Sequence, residues 1–249
     1  MKLEEMPSLS EVELQAINAE MCSRCNDPPI DSATFLISWA HSRFGEHVKA
    51  DTSFGKDSAL IWSAVNGTAS EMVFVFGDTR LLPPQTYDQR EALTSLFPSN
   101  QLAVAAPSDQ ELSDIVTRRL WRSQDRRDLD EFLETVKLRP LRRLDREIGK
   151  AATIAAARRD QTLDREGLEY VVRQDDGTLR IYPFLGWPQS LVDDYIDSLK
   201  LPRNRLALLY GQSAISHRNI VYFDHHIEEV RFDSCGRNSQ NGQPVHSKL

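Results

Sequence analysis

The sequence predicts an α/β fold: a doubly wound, mostly parallel sheet flanked by helices, with a small antiparallel addition and a flexible C-terminal tail. Three observations carry this. Met72-Val73-Phe74-Val75-Phe76 is a continuous apolar run of strand length, as in a parallel strand covered on both faces. From His47 onward, short apolar runs alternate with longer stretches of helical periodicity. The polar loop Asp51–Lys56 joins a short strand to a helix, as the first βα turn of such a fold does.

Leu9–Asn26 is an acidic helical opening, and Ser32–Phe44 places Phe35, Leu36, Trp39 and Phe44 at helical spacing. His47–Ala50 is a short strand, and Asp57–Val65 a helix ended by Asn66-Gly67. Pro83-Pro84 starts a helix to about Leu96, Gln101–Ala105 is a third strand, and Ser108 caps a helix reaching Trp121. A charged helical stretch, Asp125–Lys150, precedes the small-residue run Ala151–Ala157, which suits a buried strand or a helix. The polar loop after it favours the strand. Tyr170–Arg173 and Leu179–Tyr182 flank the turn-rich Gln174–Thr178 as a hairpin. Pro188–Leu199 is a short helix, ended by Leu201-Pro202. Beyond Gly211 the chain reads as irregular, and Gly236–Leu249 as a flexible end. The expected division is a helical extension over 1–30, a main domain over 31–215 and a tail over 216–249.

A net charge of −7 opposes nonspecific nucleic-acid binding, yet arginines gather between Arg118 and Arg165, where they can build a local anion site. No apolar run approaches the ~18 residues needed to cross a bilayer, and Met1–Glu5 lacks the blocks of a secretory signal. A cytoplasmic protein is expected. Three cysteines make no disulfide scaffold, so any cysteine function is expected to be redox or metal chemistry.

Ser53-Phe54-Gly55-Lys56-Asp57-Ser58 carries the chemistry. It lies between a strand and a helix, where backbone N–H groups converge on anions. Gly55 permits close approach, Ser53 and Ser58 donate hydroxyl hydrogen bonds, and Lys56 supplies a compact charge. Asp57 either holds the loop or helps a metal ion. The spacing is not that of G-x-x-x-x-G-K-[ST]. A polar cap before an ordinary helix is the plainer alternative.

Ser-x-Gly-x-Asp-Ser after a first strand resembles the PP-loop of the adenine nucleotide α-hydrolase-like superfamily. Ser53-Phe54-Gly55 is similar to the form in its phosphoadenylyl-sulfate (PAPS) reductase family, whereas Lys56-Asp57-Ser58 looks more like the ATP-using relatives. Val73–Thr79 followed by Leu82–Tyr87 resembles that family's strand ending in Asp-Thr and its Phe-Pro-Glu-Thr-Tyr helix start. Lys137-Leu138-Arg139-Pro140-Leu141 resembles its Arg-Lys-x-x-Pro-Leu segment, and Arg158-Arg159-Asp160-Gln161 with Arg165 its Arg-Arg-Asp-Gln…Arg signature. Ile181–Trp187, Asp194–Ile196 and Leu201-Pro202 resemble further landmarks, so the likeness covers roughly residues 32–215.

The resemblance implies that Ser53–Ser58, Asp78, Lys137, Arg158, Arg159 and Arg165 bind the nucleotide. Guanidinium groups suit phosphate and sulfate oxygens through paired, charge-assisted hydrogen bonds. Asp78 is equally a strand-end cap, and Arg118, Arg119, Arg122, Arg126 and Arg127 read as a solvated surface. The family's nucleophile is a cysteine in Glu-Cys-Gly-Leu-His, whose thiolate takes the sulfate sulfur as an enzyme S-sulfonate; thioredoxin or glutaredoxin then releases sulfite. Here the tail offers Asp233-Ser234-Cys235-Gly236-Arg237, without the Glu, Leu and His. Cys235 remains the candidate nucleophile, and His217, His225, His226 and His246 receive no role.

Adenylyl-sulfate reductases with an iron–sulfur cluster carry a Cys-Cys pair and a later Cys-x-x-Cys. This chain has neither there, so no bound cofactor is expected and PAPS is favoured as substrate. Cys22-Ser23-Arg24-Cys25 is half a tetrahedral metal site, a redox pair, or simply part of a helix. The resemblance also implies a homodimer. Two alternatives stand: an ATP-using, Mg²⁺-dependent PP-loop enzyme that releases pyrophosphate, and a nucleotide-binding protein without chemistry.

Overall fold

The apolar run at 72–76 becomes β2 (Phe74–Gly77), and its neighbour β1 (Val48–Thr52) lies at the centre of the sheet. In the computed structural model, which describes residues 8–162, 165–206 and 220–229, the sheet order is β3-β2-β1-β4-β6-β5. β3 (Leu102–Ala105), β4 (Ala152–Ile154) and β6 (Leu179–Ile181) are parallel to these two. β5 (Val171–Arg173) pairs antiparallel with β6, forming the predicted hairpin. From β1 the chain winds outward through β2 to β3, then returns to β1's other side as β4. The topological switch therefore lies between β1 and β4, where open α/β sheets bind ligands beyond their carboxyl ends.

One face carries the larger core. α1 (Glu11–Ser23), α2 (Pro29–Phe44), α3 (Ser58–Thr68) and α8 (Gln189–Ser198) contribute Ile17, Leu36, Trp62 and Val192 to it. α3 is apolar nearly all round, because Ala59, Leu60, Ile61, Trp62, Ala64 and Val65 are all buried. Trp62 stacks on Phe74 at 4.0 Å. α2 begins three residues before the predicted start, since Pro29 suits a first helical turn. α3 runs past Asn66-Gly67 to Thr68, whose hydroxyl donates back to the Ala64 carbonyl; an isolated glycine lowers helix stability without ending the helix.

The opposite face is covered at its β2–β3 side. There α5 (Asp109–Arg118) is capped by Ser108 and Glu111 reciprocally, whereas α4 (Pro84–Leu96), which follows β2, gives its buried Leu93 to the larger core. α6 (Arg126–Leu133), a π-helical turn over Glu134–Leu138 and α7 (Arg139–Glu147) form one continuous charged stretch. The wide turn precedes Pro140, whose ring would clash with the carbonyl four residues back in a regular α-helix. Ile115, Trp121, Phe132 and Val136 form a second, smaller core there. Among the described residues no helix is long and apolar enough to cross a membrane.

The region expected to be irregular beyond Gly211 instead contains a hairpin, β7 (Ile220–Phe223) and β8 (His226–Glu229). Asp224 and His225 both take positive φ, 50° and 64°, as a two-residue turn between twisted strands demands. The hairpin is docked. Tyr222 N donates to the Leu81 carbonyl at 2.8 Å, Val221 is buried, and Phe223 packs on Trp121 at 5.2 Å. Glu228 accepts from Arg122 Nε at 2.6 Å and Trp121 Nε1 at 3.0 Å.

Candidate functional site

β1 ends at Thr52, whose hydroxyl oxygen accepts from Trp62 Nε1 at 3.1 Å and from Phe54 N at 3.4 Å. The chain then turns abruptly. Phe54 sits at φ 50° with its ring fully buried, 4.8 Å from Phe76 and 5.7 Å from Trp62. Left-handed backbone at a bulky residue is strained, and here core packing of the ring holds it. Ser53 is exposed at the turn, while Phe54 and Gly55 are buried. Ser58 N donates to the Gly55 carbonyl at 3.2 Å, closing the loop onto the first turn of α3. The buried Asn204 side chain holds the loop, donating to the Phe54 carbonyl at 2.8 Å while accepting from Leu206 N.

On the other side of the switch point, Ala155–Ala157 lead from β4 to Arg158, which is 2% exposed. Its guanidinium reaches under the loop. NH1 donates to Asp57 Oδ2 at 2.8 Å, Nε to Asp160 Oδ1 at 3.1 Å and NH2 to Gln189 Oε1 at 2.6 Å. Asp57 stands at the α3 N-cap position but makes no capping bond there, its carboxylate being turned to Arg158. Of the two roles open to Asp57, this geometry is that of holding the loop.

Asp78 follows β2 and is buried. Its Oδ1 accepts from Arg80 N and from the Tyr87 hydroxyl, each at 2.8 Å. Burial, reinforced by the neighbouring Asp78 carboxylate, pushes the Tyr87 phenol well above its ordinary range, so it stays a donor. Asp78 thus caps the strand end, shaping the turn in which Arg80 takes φ 60°. Thr52 is in register with Phe76, so the Ser53–Ser58 loop and the Asp78 turn leave the sheet side by side.

A family model, described as the phosphoadenosine phosphosulfate reductase domain, matches residues 47–216. The chain belongs to this family. It is similar to a phosphoadenosine 5′-phosphosulfate reductase of a Synechococcus species, 29% identical over 201 residues, covering 81% of each chain. It is also similar to an adenosine 5′-phosphosulfate reductase of Geobacillus kaustophilus, 27% identical over 191 residues, covering 76% of this chain and 79% of that one. A crystal structure of the Candida auris PAPS reductase in a phosphate complex shares the fold, with a TM-score of 0.66 at 23% identity, covering 81% of this chain and 93% of that one. The protein is therefore an enzyme of the sulfonucleotide-reductase class.

Within this PAPS reductase frame the two adjacent arginines part. Arg159 donates to the Leu168 carbonyl at 2.9 Å and lies 5.3 Å from the Tyr170 ring centre. It lines an open cavity of about 230 Å³ with Asn18, Cys22 and Glu169, on the α1 side. Arg165 is buried in the turn that follows, its amide bonded to the Thr162 carbonyl. Lys137 is half-buried in the π-helical turn. Four residues on, Leu141 packs where a Cβ at Gly77 would come within 3.5 Å, so this turn borders the carboxyl end of β2.

Arg118 and Arg122 are engaged with Glu131 and Glu228, in keeping with a charged surface. Cys22 is exposed. Among the described residues no three His, Cys, Asp or Glu side chains are gathered as metal ligands. Cys235, His217 and His246 lie outside the described residues. Sequence reasoning missed Gln189 and Asn204, both of which hold the loop; neutral amides inside a loop and a helix start carry no chemical signature. Asp160 stood inside the quoted motif but received no role of its own.

Proposed function

We propose that the protein reduces PAPS to sulfite and adenosine 3′,5′-bisphosphate, with Cys235 as nucleophile. The observation that supports it best is the bond between Arg158, of the Arg-Arg-Asp-Gln segment, and Asp57 of the Ser53–Ser58 loop, made at the sheet's switch point. Ser53, Gly55, Lys56, Ser58 and the amides opening α3 face the phosphosulfate, where a helix N-terminus favours anions. Phe54, Asp57, Asp78 and Arg158 shape that loop, and Lys137, by the carboxyl end of β2, supplies a further cationic contact, whereas Arg159 faces the α1-side cavity and Arg165 is buried in its own turn.

In the reaction the Cys235 thiolate attacks the sulfate sulfur. An S–S bond forms, the sulfur–oxygen bond to the α-phosphate breaks, and the bisphosphate leaves with the electron pair. A thiolate of thioredoxin or glutaredoxin then attacks the Cys235 sulfur, expelling sulfite. The reductant's second thiol resolves the mixed disulfide, so the reductant ends oxidised and Cys235 is restored. The docked hairpin supports this reading. It ties the chain to Leu81, just beyond Asp78, and Cys235 follows Glu229 by only six residues, a reach of at most ~20 Å. The cysteines stand at 22, 25 and 235, without the spacing of the cluster-bearing relatives, which favours PAPS over adenylyl sulfate and a protein without a bound cluster. A homodimer in a reducing cytoplasm completes the proposal.

Incubation with ³⁵S-labelled PAPS, followed by mass analysis, is expected to give an S-sulfonate on Cys235 that is absent from Cys235→Ser. A wild-type protein that binds PAPS yet never becomes labelled refutes the mechanism. Mg²⁺-dependent pyrophosphate release from ATP would mark the ATP-using alternative, for which Lys56-Asp57-Ser58 is the supporting feature.

A further inference from the structure

Asp57, Arg158, Asp160 and Gln189 form a closed ring beneath the loop. Arg158 joins Asp57 to Asp160, and Asp160 Oδ2 accepts from Gln189 N at 2.7 Å. That amide is one of the donors left without a partner at the start of α8, so Asp160 also caps the helix. The Gln189 side chain completes the circuit. Its Oε1 accepts from Arg158 NH2 at 2.6 Å, while Nε2 donates to Asp57 Oδ1 at 3.4 Å and to Asp193 Oδ1 at 3.2 Å. Every hydrogen-bonding group of one amide is thereby directed to a charged partner. Asp193 is held in turn by Arg203 NH1 at 2.7 Å. Burial works against ionisation there, but the bonds from Arg203 and Gln189, with the charge of Lys56 nearby, keep the Asp193 carboxyl below its usual range.

We infer that Gln189 is a positioning residue of the nucleotide loop: it touches no substrate, and it fixes Asp57, with Lys56 beside it, by joining the loop to Arg158 and to α8. The chemistry requires an amide. A carboxylate at this position would set a third negative charge against Asp57 and Asp160 and would lose both donated bonds; an apolar side chain would lose all three. The loop sits over this ring, so loosening the ring displaces the loop's anion-binding groups while the two cores remain packed. This inference rests on the reading of Ser53–Ser58 as the nucleotide site.

The test uses the full chain with Gln189→Met and Gln189→Glu, measuring hydrogen exchange over 53–58, PAPS affinity by calorimetry, and thermal midpoint. The expected result for both variants is exchange in the loop, and a Kd for PAPS, each raised about tenfold or more, the loss of one hydrogen bond to a charged group. Exchange in α2 stays unchanged. In an Asp57→Asn background, Gln189→Met should weaken PAPS by less than it does in the wild-type background, because part of its effect acts through Asp57. Wild-type exchange and affinity in a folded Gln189→Met overturn the inference, as do strictly additive losses. Should Gln189→Met not fold, Gln189→Glu decides by the same measurements. A wild type that binds neither PAPS nor adenylyl sulfate overturns the nucleotide reading instead, and loop exchange then still decides whether Gln189 holds the loop.

Discussion

Replacing Arg158 by Met removes a cation 2% exposed from between two carboxylates, Asp57 at 13% and Asp160 at 34% exposure. Breaking a buried ion pair from one side costs about 3–5 kcal/mol, since the surviving charge is left without compensation. For a chain of this size each kcal/mol moves the midpoint by about 2–4 °C, so the variant should melt roughly 6–20 °C below wild type. The stronger test is a change of sign. Asp57→Asn in the wild-type background removes a partner of Arg158 and should destabilise. In the Arg158→Met background the same substitution removes an uncompensated charge and should restore part of the loss. Circular-dichroism melts of the four proteins of this cycle give both numbers. A fall of less than ~2 °C for Arg158→Met, or an Asp57→Asn effect of the same sign in both backgrounds, refutes the claim that Arg158 is an internal clamp.

Asn204→Ala strands the Phe54 carbonyl and Leu206 amide, both buried, and should cost about 1–3 kcal/mol in urea unfolding while raising the Kd for PAPS. Lys49 is 6% exposed in the middle of the sheet; burial lowers its ammonium pKa, with Glu46 acting the other way. Lys49→Met should therefore stabilise by ~1 kcal/mol at neutral pH, and the advantage should shrink as pH rises toward the ordinary 10.5, where wild-type lysine sheds its charge. The Arg122 hydrogen bonds hold Glu228 below its ordinary 4.5; burial opposes them, Trp121 adds to them, and the Arg119 charge lies near. Docking of the hairpin is thus fully present above 4.5 and lost as pH falls through the lower folded value, a step that the Trp121 indole N–H signal should report in wild type and not in Glu228→Gln.

Strand β2 was legible because Phe74–Phe76 is apolar and covered on both faces, whereas Ala152–Ile154 suited a strand or a helix and was read as a strand from the polar loop that follows it. The β7–β8 hairpin was missed although Ile220–Phe223 is a good strand sequence. Its turn uses Asp224-His225 where Gly or Asn is the recognisable signal, and its docking relies on Trp121 and Leu81, over a hundred positions earlier. The loop at Ser53–Ser58 was visible from residue types alone. What holds it was not: Asn204, Gln189 and the αL turn at Phe54 depend on tertiary contacts, which local composition does not encode.

The parting of Arg158 and Arg159 follows from backbone geometry. Arg158 lies at φ −129° and ψ 153°, and extended backbone sends successive side chains to opposite sides. One guanidinium must then pass beneath the loop if its neighbour points toward Tyr170, so the pair cannot close on one anion as a fork. A sequence motif marks both positions alike, whether the demand comes from the ligand or from the scaffold that shapes the ligand's seat. Burial separates the two cases. A cation 2% exposed, with all three guanidinium nitrogens bonded to protein, has little left to offer a phosphate. On the proposed reading, the loop takes its shape from Arg158 and its grip from its own amides, hydroxyls and Lys56, so substitutions in the two sets should separate stability from affinity.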